Sequence, residues 1–129
     1  MADYAAQIPG NQLTYTASAA LTGGQVVEVT SADTTAATFG NVGPAGATSL
    51  AVVGVVARDA NSGEKVTVYR GGIQRPIASG SITALAHVKA AANGQVQAAT
   101  VGTDSQVSIL GMALEAGTNG NPVRILWTR

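Results

Sequence analysis

Two stretches of this chain are built alike. "VVGVVARDANSGEKVTVYR" runs from Val52 to Arg70, and "ILGMALEAGTNGNPVRILW" from Ile109 to Trp127. An offset of 57 residues sets Gly54 on Gly111, Gly63 on Gly120 and Val66 on Val123. Val52 and Val53 fall on Ile109 and Leu110, and Val68 on Ile125. Upstream, "LTGGQVVEV" (Leu21 to Val29) precedes the first stretch as "ITALAHVKA" (Ile82 to Ala90) precedes the second. Each half reads as turn, strand, hairpin return, a strand with a hydrophobic pair, Gly and another hydrophobic residue, then a Gly-containing turn and a last strand. A unit of three or four strands leaves its apolar face in water and is marginal alone. Two such units cover each other. The 129 residues suit one domain. The repeat therefore predicts a single β domain over residues 14–129, with halves at about 14–71 and 72–129, after an N-terminal arm over residues 1–13.

The rhythm of the glycines gives the fold class. The chain has 16, at intervals of about ten residues, with short runs of Val, Ile and Thr between them. That pattern predicts an all-β sandwich or barrel, compact and with at most one short helix. In "GQVVEVTS" Val27 and Val29 share a face, in "EKVTVYR" Val66 and Val68, and in "PVRILW" Val123, Ile125 and Trp127. Asn93-Gly94 predicts a tight primed turn between strands at about Ala86–Ala91 and Gln95–Thr100. "SITALA" allows a helical turn capped by Ser81 that buries Ile82 and Leu85. "FGNVGPAGATS" (Phe39 to Ser49) reads as a loop, punctuated by Gly40, Gly43, Pro44 and Gly46.

Chemistry-bearing groups are sparse. With one His and no Cys, a zinc site lacks ligands and thiol chemistry lacks a nucleophile. His87 has no GxSxG partner, and the carboxylates are scattered over turn-like stretches. Neither GG pair, Gly23-Gly24 or Gly71-Gly72, has phosphate-loop spacing. Seven basic and seven acidic residues balance, so no net field attracts nucleic acid or an anionic membrane. The longest apolar run, Leu50 to Ala57, is too short to span a bilayer, and Asp3 stands where a signal peptide carries positive charge. These features point to a soluble protein made in the cytosol that is not an enzyme and takes no cofactor or metal. Charged residues make up only 11% of the chain, which leaves little to hold molecules apart and points to surface used for protein contacts.

Taken in order, "IPGNQLTYTASAALTGGQVVEV", "VVGVVARDANSGEKVTVYRGG" and "LGMALEAGTNGNPVRILW" resemble the small capsid decoration, or head-stabilising, proteins of tailed bacteriophages, a family once catalogued only as a domain of unknown function. The resemblance covers nearly the whole chain, although "HVKA" stands where some members carry a clearer strand. It implies a β-barrel or β-tulip-like subunit on the outer surface of a mature phage capsid. There it would contact the major capsid protein, commonly as a homotrimer, and bridge neighbouring capsomers against internal DNA pressure. Under that resemblance Tyr4, Ile8, Leu13 and Tyr15 are the expected arm contacts with the capsid or a neighbouring subunit. Two further readings stay open. One is another virion part: a coat, a head-fibre base or a tail component. The other is a carbohydrate-binding β module for host attachment, which would need an exposed aromatic platform such as Trp127; its continuation of the Val123–Ile125 face favours the core instead.

Overall fold

The computed structural model describes residues 12–31 and 40–128. Strands β1 (Gln12–Ala17), β2 (Val26–Ser31), β3 (Asn41–Pro44), β4 (Val52–Val56) and β5 (Lys65–Tyr69) form a closed barrel in the order β1-β3-β2-β4-β5. Closure comes from β1, which pairs antiparallel with β5 and parallel with β3. Strands β6 (Ile73–Gln74), β7 (His87–Ala90), β8 (Val96–Ala98), β9 (Ile109–Ala113) and β10 (Ile125–Trp127) form a second sheet in the order β6-β10-β9-β7-β8. Helix among the described residues is limited to two 3-10 turns, Ala92–Gly94 and Gln106–Ser108.

The repeat holds down to single hydrogen bonds. In the first half Val55 pairs with Tyr69 and Val56 with Val68; in the second Met112 pairs with Leu126 and Ala113 with Ile125. Val26, Val27 and Glu28 face Val55, Gly54 and Val52 across a bulge, and His87, Val88 and Lys89 face Met112, Gly111 and Ile109 across the same bulge. The Leu21–Ala60 bridge recurs as Ile82–Gly117. Gly63 N–H donates to Ala17 O, and Gly120 N–H to Ala78 O. The parallel Ala17–Val42 pair that closes the first barrel recurs as one parallel bridge, Ala78–Val96, so the second sheet also curls until its edges meet. The chain is thus two tandem five-stranded units. Curling removes open edges, which otherwise invite unwanted pairing.

Each barrel interior is filled from equivalent positions. Ala17, Leu21, Val27, Val42, Val56, Val66 and Val68 fill the first, and Ala78, Ile82, Val88, Val96, Ala113, Val123 and Ile125 the second. Small side chains suit so narrow a barrel. Neighbouring paired strands approach most closely at Gly54, on β4 beside β5, and at Gly111, on β9 beside β10. A Cβ on Gly54 would lie 2.2 Å from Tyr69 O, and one on Gly111 2.1 Å from Leu126 O, again 57 residues apart.

The second cluster reaches across into the first barrel. Besides its own interior it includes Val26, Ala45, Val52 and Val55, which point out of the first barrel, and Ala90 and Leu110, at one end of the second. Thr48 N–H donates to Ala90 O, Gly94 N–H to Ala45 O, and Gln25 Nε2 to Asn93 O across this joint. The end of the second barrel is therefore seated on the β2–β4 face of the first.

Three local expectations need correction. Asn41–Pro44, inside the stretch read as a loop, is strand β3, with Val42 fully buried. Gly and Pro are turn signals, but register with β2 and burial of Val42 outweighed them, and Pro44 at the strand end costs the ladder little. "SITALA" is not a helical turn: Ile82 is buried, but Leu85 is 65% exposed at φ 68. The Asn93-Gly94 turn sits where expected and both residues have positive φ, but it spans three residues, and its strands are shorter than predicted, β7 ending at Ala90 and β8 at Ala98.

Candidate functional site

The outward residues fall into matched pairs. Leu50 is 55% exposed and its equivalent Val107 52%; Tyr69 and its equivalent Leu126 are each 38% exposed. Val66 and Val68 turn inward, so strand alternation turns Tyr69 outward, and the same alternation turns Leu126 outward between Ile125 and Trp127. Ile73, exposed and paired with Leu126, widens the apolar surface on the second unit. A chain with two such equivalent sets offers the same kind of contact twice. Sequence reading missed these residues, although the 57-residue offset, combined with alternation, marks them.

Leu85 breaks the match. Its equivalent in the first unit is Gly24, with φ +91, and both N–H groups make the same bond, Gly24 to Val56 O and Leu85 to Ala113 O. A leucine in this left-handed conformation costs about 1–2 kcal/mol, and its side chain gains little burial in return. Strain of this kind clusters at functional positions. We expect Leu85→Gly to stabilise the isolated chain by about 1 kcal/mol, read as a higher urea midpoint. An unchanged or lower midpoint would mean that packing, not strain, holds Leu85.

The sequence-predicted contact residues divide. Tyr4 and Ile8 lie outside the described residues. Leu13 is half-buried on β1 against the first core cluster. Tyr15 is 6% exposed and packs within that cluster, so its side chain is held in the first barrel. Burial pushes the Tyr15 phenol above its ordinary value, with the Arg70 charge pulling the other way.

The ionic chemistry here is structural. Lys89 Nζ lies 2.7 Å from Asp104 Oδ1, largely shielded from solvent, and Asp104 Oδ2 accepts from Thr100 N–H. The Lys89 hydrogen bond, then that of Thr100, holds the Asp104 carboxyl below the usual carboxylate range. A depressed carboxylate adds stability above its unfolded pKa, and that stability is lost as pH falls through the folded value. Asp104→Asn should therefore lower the melting temperature near neutral pH, and the gap to wild type should close as pH falls below about 4. A gap independent of pH would mean that the ion pair contributes nothing. Arg124 and Glu115 form a second, more exposed pair at 3.3 Å, which is worth little. Among the described residues no group of three or more His, Asp or Glu gathers as metal ligands. No described helix is long and apolar enough to cross a membrane. Trp127 is 6% exposed within the core, so it forms no sugar platform.

Recesses among the described residues include two, near the joint and on the second unit. One, of about 220 Å³, lies at the joint between the barrels and is lined by Thr22, Gln25, Ile77, Asn93 and Gln95. It holds no titratable side chain. The other, of about 360 Å³, lies on the second unit among His87, Val101, Gln106, Ile109 and Thr128. It is open and mainly apolar, the character of a docking surface more than of a reaction centre.

Comparison with known proteins gives these surfaces a context. The sequence profile of the phage cement proteins matches residues 8–127. The chain belongs to the phage cement protein family. As a phage cement protein it is a structural component of a virion. Its fold is similar to the crystal structure of the N base of head fiber gp8.5 in bacteriophage phi29, with a TM-score of 0.71 and 17% identity over 91% of this chain and 92% of that one. At that identity the likeness concerns the fold, and it spans both tandem units of the cement protein. No curated protein sequence matches the chain.

Proposed function

We propose that this cement protein is a decoration protein that binds the outer surface of the phage capsid, holds the major capsid protein as its partner and stabilises the mature shell by bridging capsomers. It acts as a homotrimer at three-fold and local three-fold positions, and is made in the host cytoplasm. The observation that carries this reading is the doubled presentation of apolar side chains, Leu50 with Val107 and Tyr69 with Leu126, on two equivalent barrels. A duplicated subunit suits a repeated lattice: each barrel meets an equivalent shell element, and weak contacts add by avidity. The arm, residues 1–13, adds contacts through Tyr4, Ile8 and Leu13, with Tyr15 following it in β1.

Quantifying this chain in purified particles against the major shell protein tests the role. A ratio near one supports decoration, whereas absence from the particle removes it. Truncation of residues 1–10 should abolish capsid binding while the far-UV spectrum and melting temperature stay unchanged. Saturation of capsids by the truncated chain would exclude the arm. Likeness of fold to a head-fibre base favours one other reading, that of a base for a projecting fibre, and a few copies per particle would support it.

A further inference from the structure

The two barrels are equivalent, but their surroundings are not. On the first, the β2–β4 face is covered: Val26 and Ala45 are 0% exposed, Val55 3% and Val52 5%, because the end of the second barrel is seated there. The equivalent positions on the second are His87, Ala99, Met112 and Ile109, placed by shared pairing and by the matching bonds Ala45 N–H to Val26 O and Ala99 N–H to His87 O. Among the described residues nothing covers them: His87 is exposed, and Ala99, Ile109 and Met112 are half-buried. The recess among His87, Val101 and Ile109 opens on this same face, with Val101 63% exposed.

The barrel ends show the converse. Ala90 and Leu110, at the end of the second barrel, are 0% exposed because they sit in the joint. Their equivalents on the first barrel, Val29 and Val53, are only half-buried. Among the described residues, one copy thus has an uncapped end on the first barrel and an uncovered face on the second. These are the two halves of the joint already made within the chain.

We propose that the Val29–Val53 end of one copy docks on the His87–Ile109–Met112 face of a second copy, repeating between chains the joint that links the barrels within one. The contact is heterologous, since it joins different surfaces of the two copies. Such contacts close into a ring when the rotation per copy allows it. This deepens the homo-oligomer reading above, and rests on it for the presence of a second copy. Residue for residue, the face keeps apolar Ile109 and Met112, while His87 replaces Val26, as suits a surface that stays in water until a partner arrives.

The test uses two variants of the full chain. His87→Asp with Val101→Asp spoils the face at exposed positions, where the fold tolerates change. Val29→Lys with Val53→Lys spoils the end. Sedimentation and native mass spectrometry should show wild type associated, and each variant weakened at least about tenfold. Mixed in equal amounts, the two variants should form a one-to-one dimer and nothing larger, because each keeps the surface the other lacks. That dimer also certifies that both variants fold. Mixed variants that stay monomeric while wild type associates would overturn the proposal. So would a face variant that associates normally but no longer binds emptied capsids, since the face would then belong to the shell. Wild type that is monomeric at its highest soluble concentration, yet saturates capsids, would remove the contact between copies and leave the decoration role standing.

Discussion

Gly111→Ala should cost the chain more than about 3 kcal/mol, a large part of the 5–15 kcal/mol that holds a domain of this size together. The added methyl would meet Leu126 O at 2.1 Å and the Ile125 side chain at 3.1 Å. Backbone on a paired strand cannot swing aside as a flexible side chain would, so relief requires β9 and β10 to separate. Gly54→Ala meets the same obstacle at Tyr69 O and should lose a similar amount. The control is Gly120→Ala, at φ +83 with open space around it, where only the left-handed conformation is penalised, at about 1 kcal/mol. Thermal melts should fall by roughly 10 °C or more for the first two, and by a few degrees for the third. Equal losses at all three positions would show that conformational freedom, not close approach of strands, keeps glycine at 54 and 111.

Leu110→Ala should cost about 2–5 kcal/mol, and its equivalent Val53→Ala about 1 kcal/mol. Leu110 is fully buried in the cluster that runs through the second barrel into the face of the first, and the cavity left behind is walled by both barrels. Val53 holds the same strand position but is only partly covered. Urea unfolding of the two variants measures the difference directly. If Val53→Ala lost as much as Leu110→Ala, the first-barrel end would be as well covered as the joint, and the asymmetry between the units would vanish.

Much of the barrel interior was legible because strand alternation is a local property. Val66 and Val68, then Val123, Ile125 and Trp127, are buried as their period required. Gly54 and Gly111 announced the duplication, and the pairing register carries it through both units. Other elements were not legible. Strand β3 is written in turn residues, and only the neighbouring β2 selects an extended conformation for them. Val26, adjacent to inward Val27, is buried on the opposite face. Two consecutive buried valines break a simple alternation, and the reason for the second lies in the other barrel. Of the N-terminal contact candidates, Tyr15 faces inward, because alternation from Leu13 to Ala17 places it in the bore. The matched outward residues are marked only by the 57-residue offset taken together with alternation, since an exposed apolar side chain carries no mark of its own.

The amino-acid sequence alone therefore determined an all-β chain made twice from one unit, part of what fills each bore (Val27, Val66 and Val68 in the first, Val123 and Ile125 in the second), and the scarcity of chemical groups. All of these follow from spacing along the chain, which strand geometry converts directly into inward and outward faces. Only the tertiary structure decided how the two units sit together. The end of one covers a face of the other, so equivalent positions such as Val26 and His87 have opposite exposure. That choice depends on shape and on hydrogen bonds between residues far apart in sequence, Thr48 to Ala90 and Gly94 to Ala45 among them, and no periodicity within either unit encodes it.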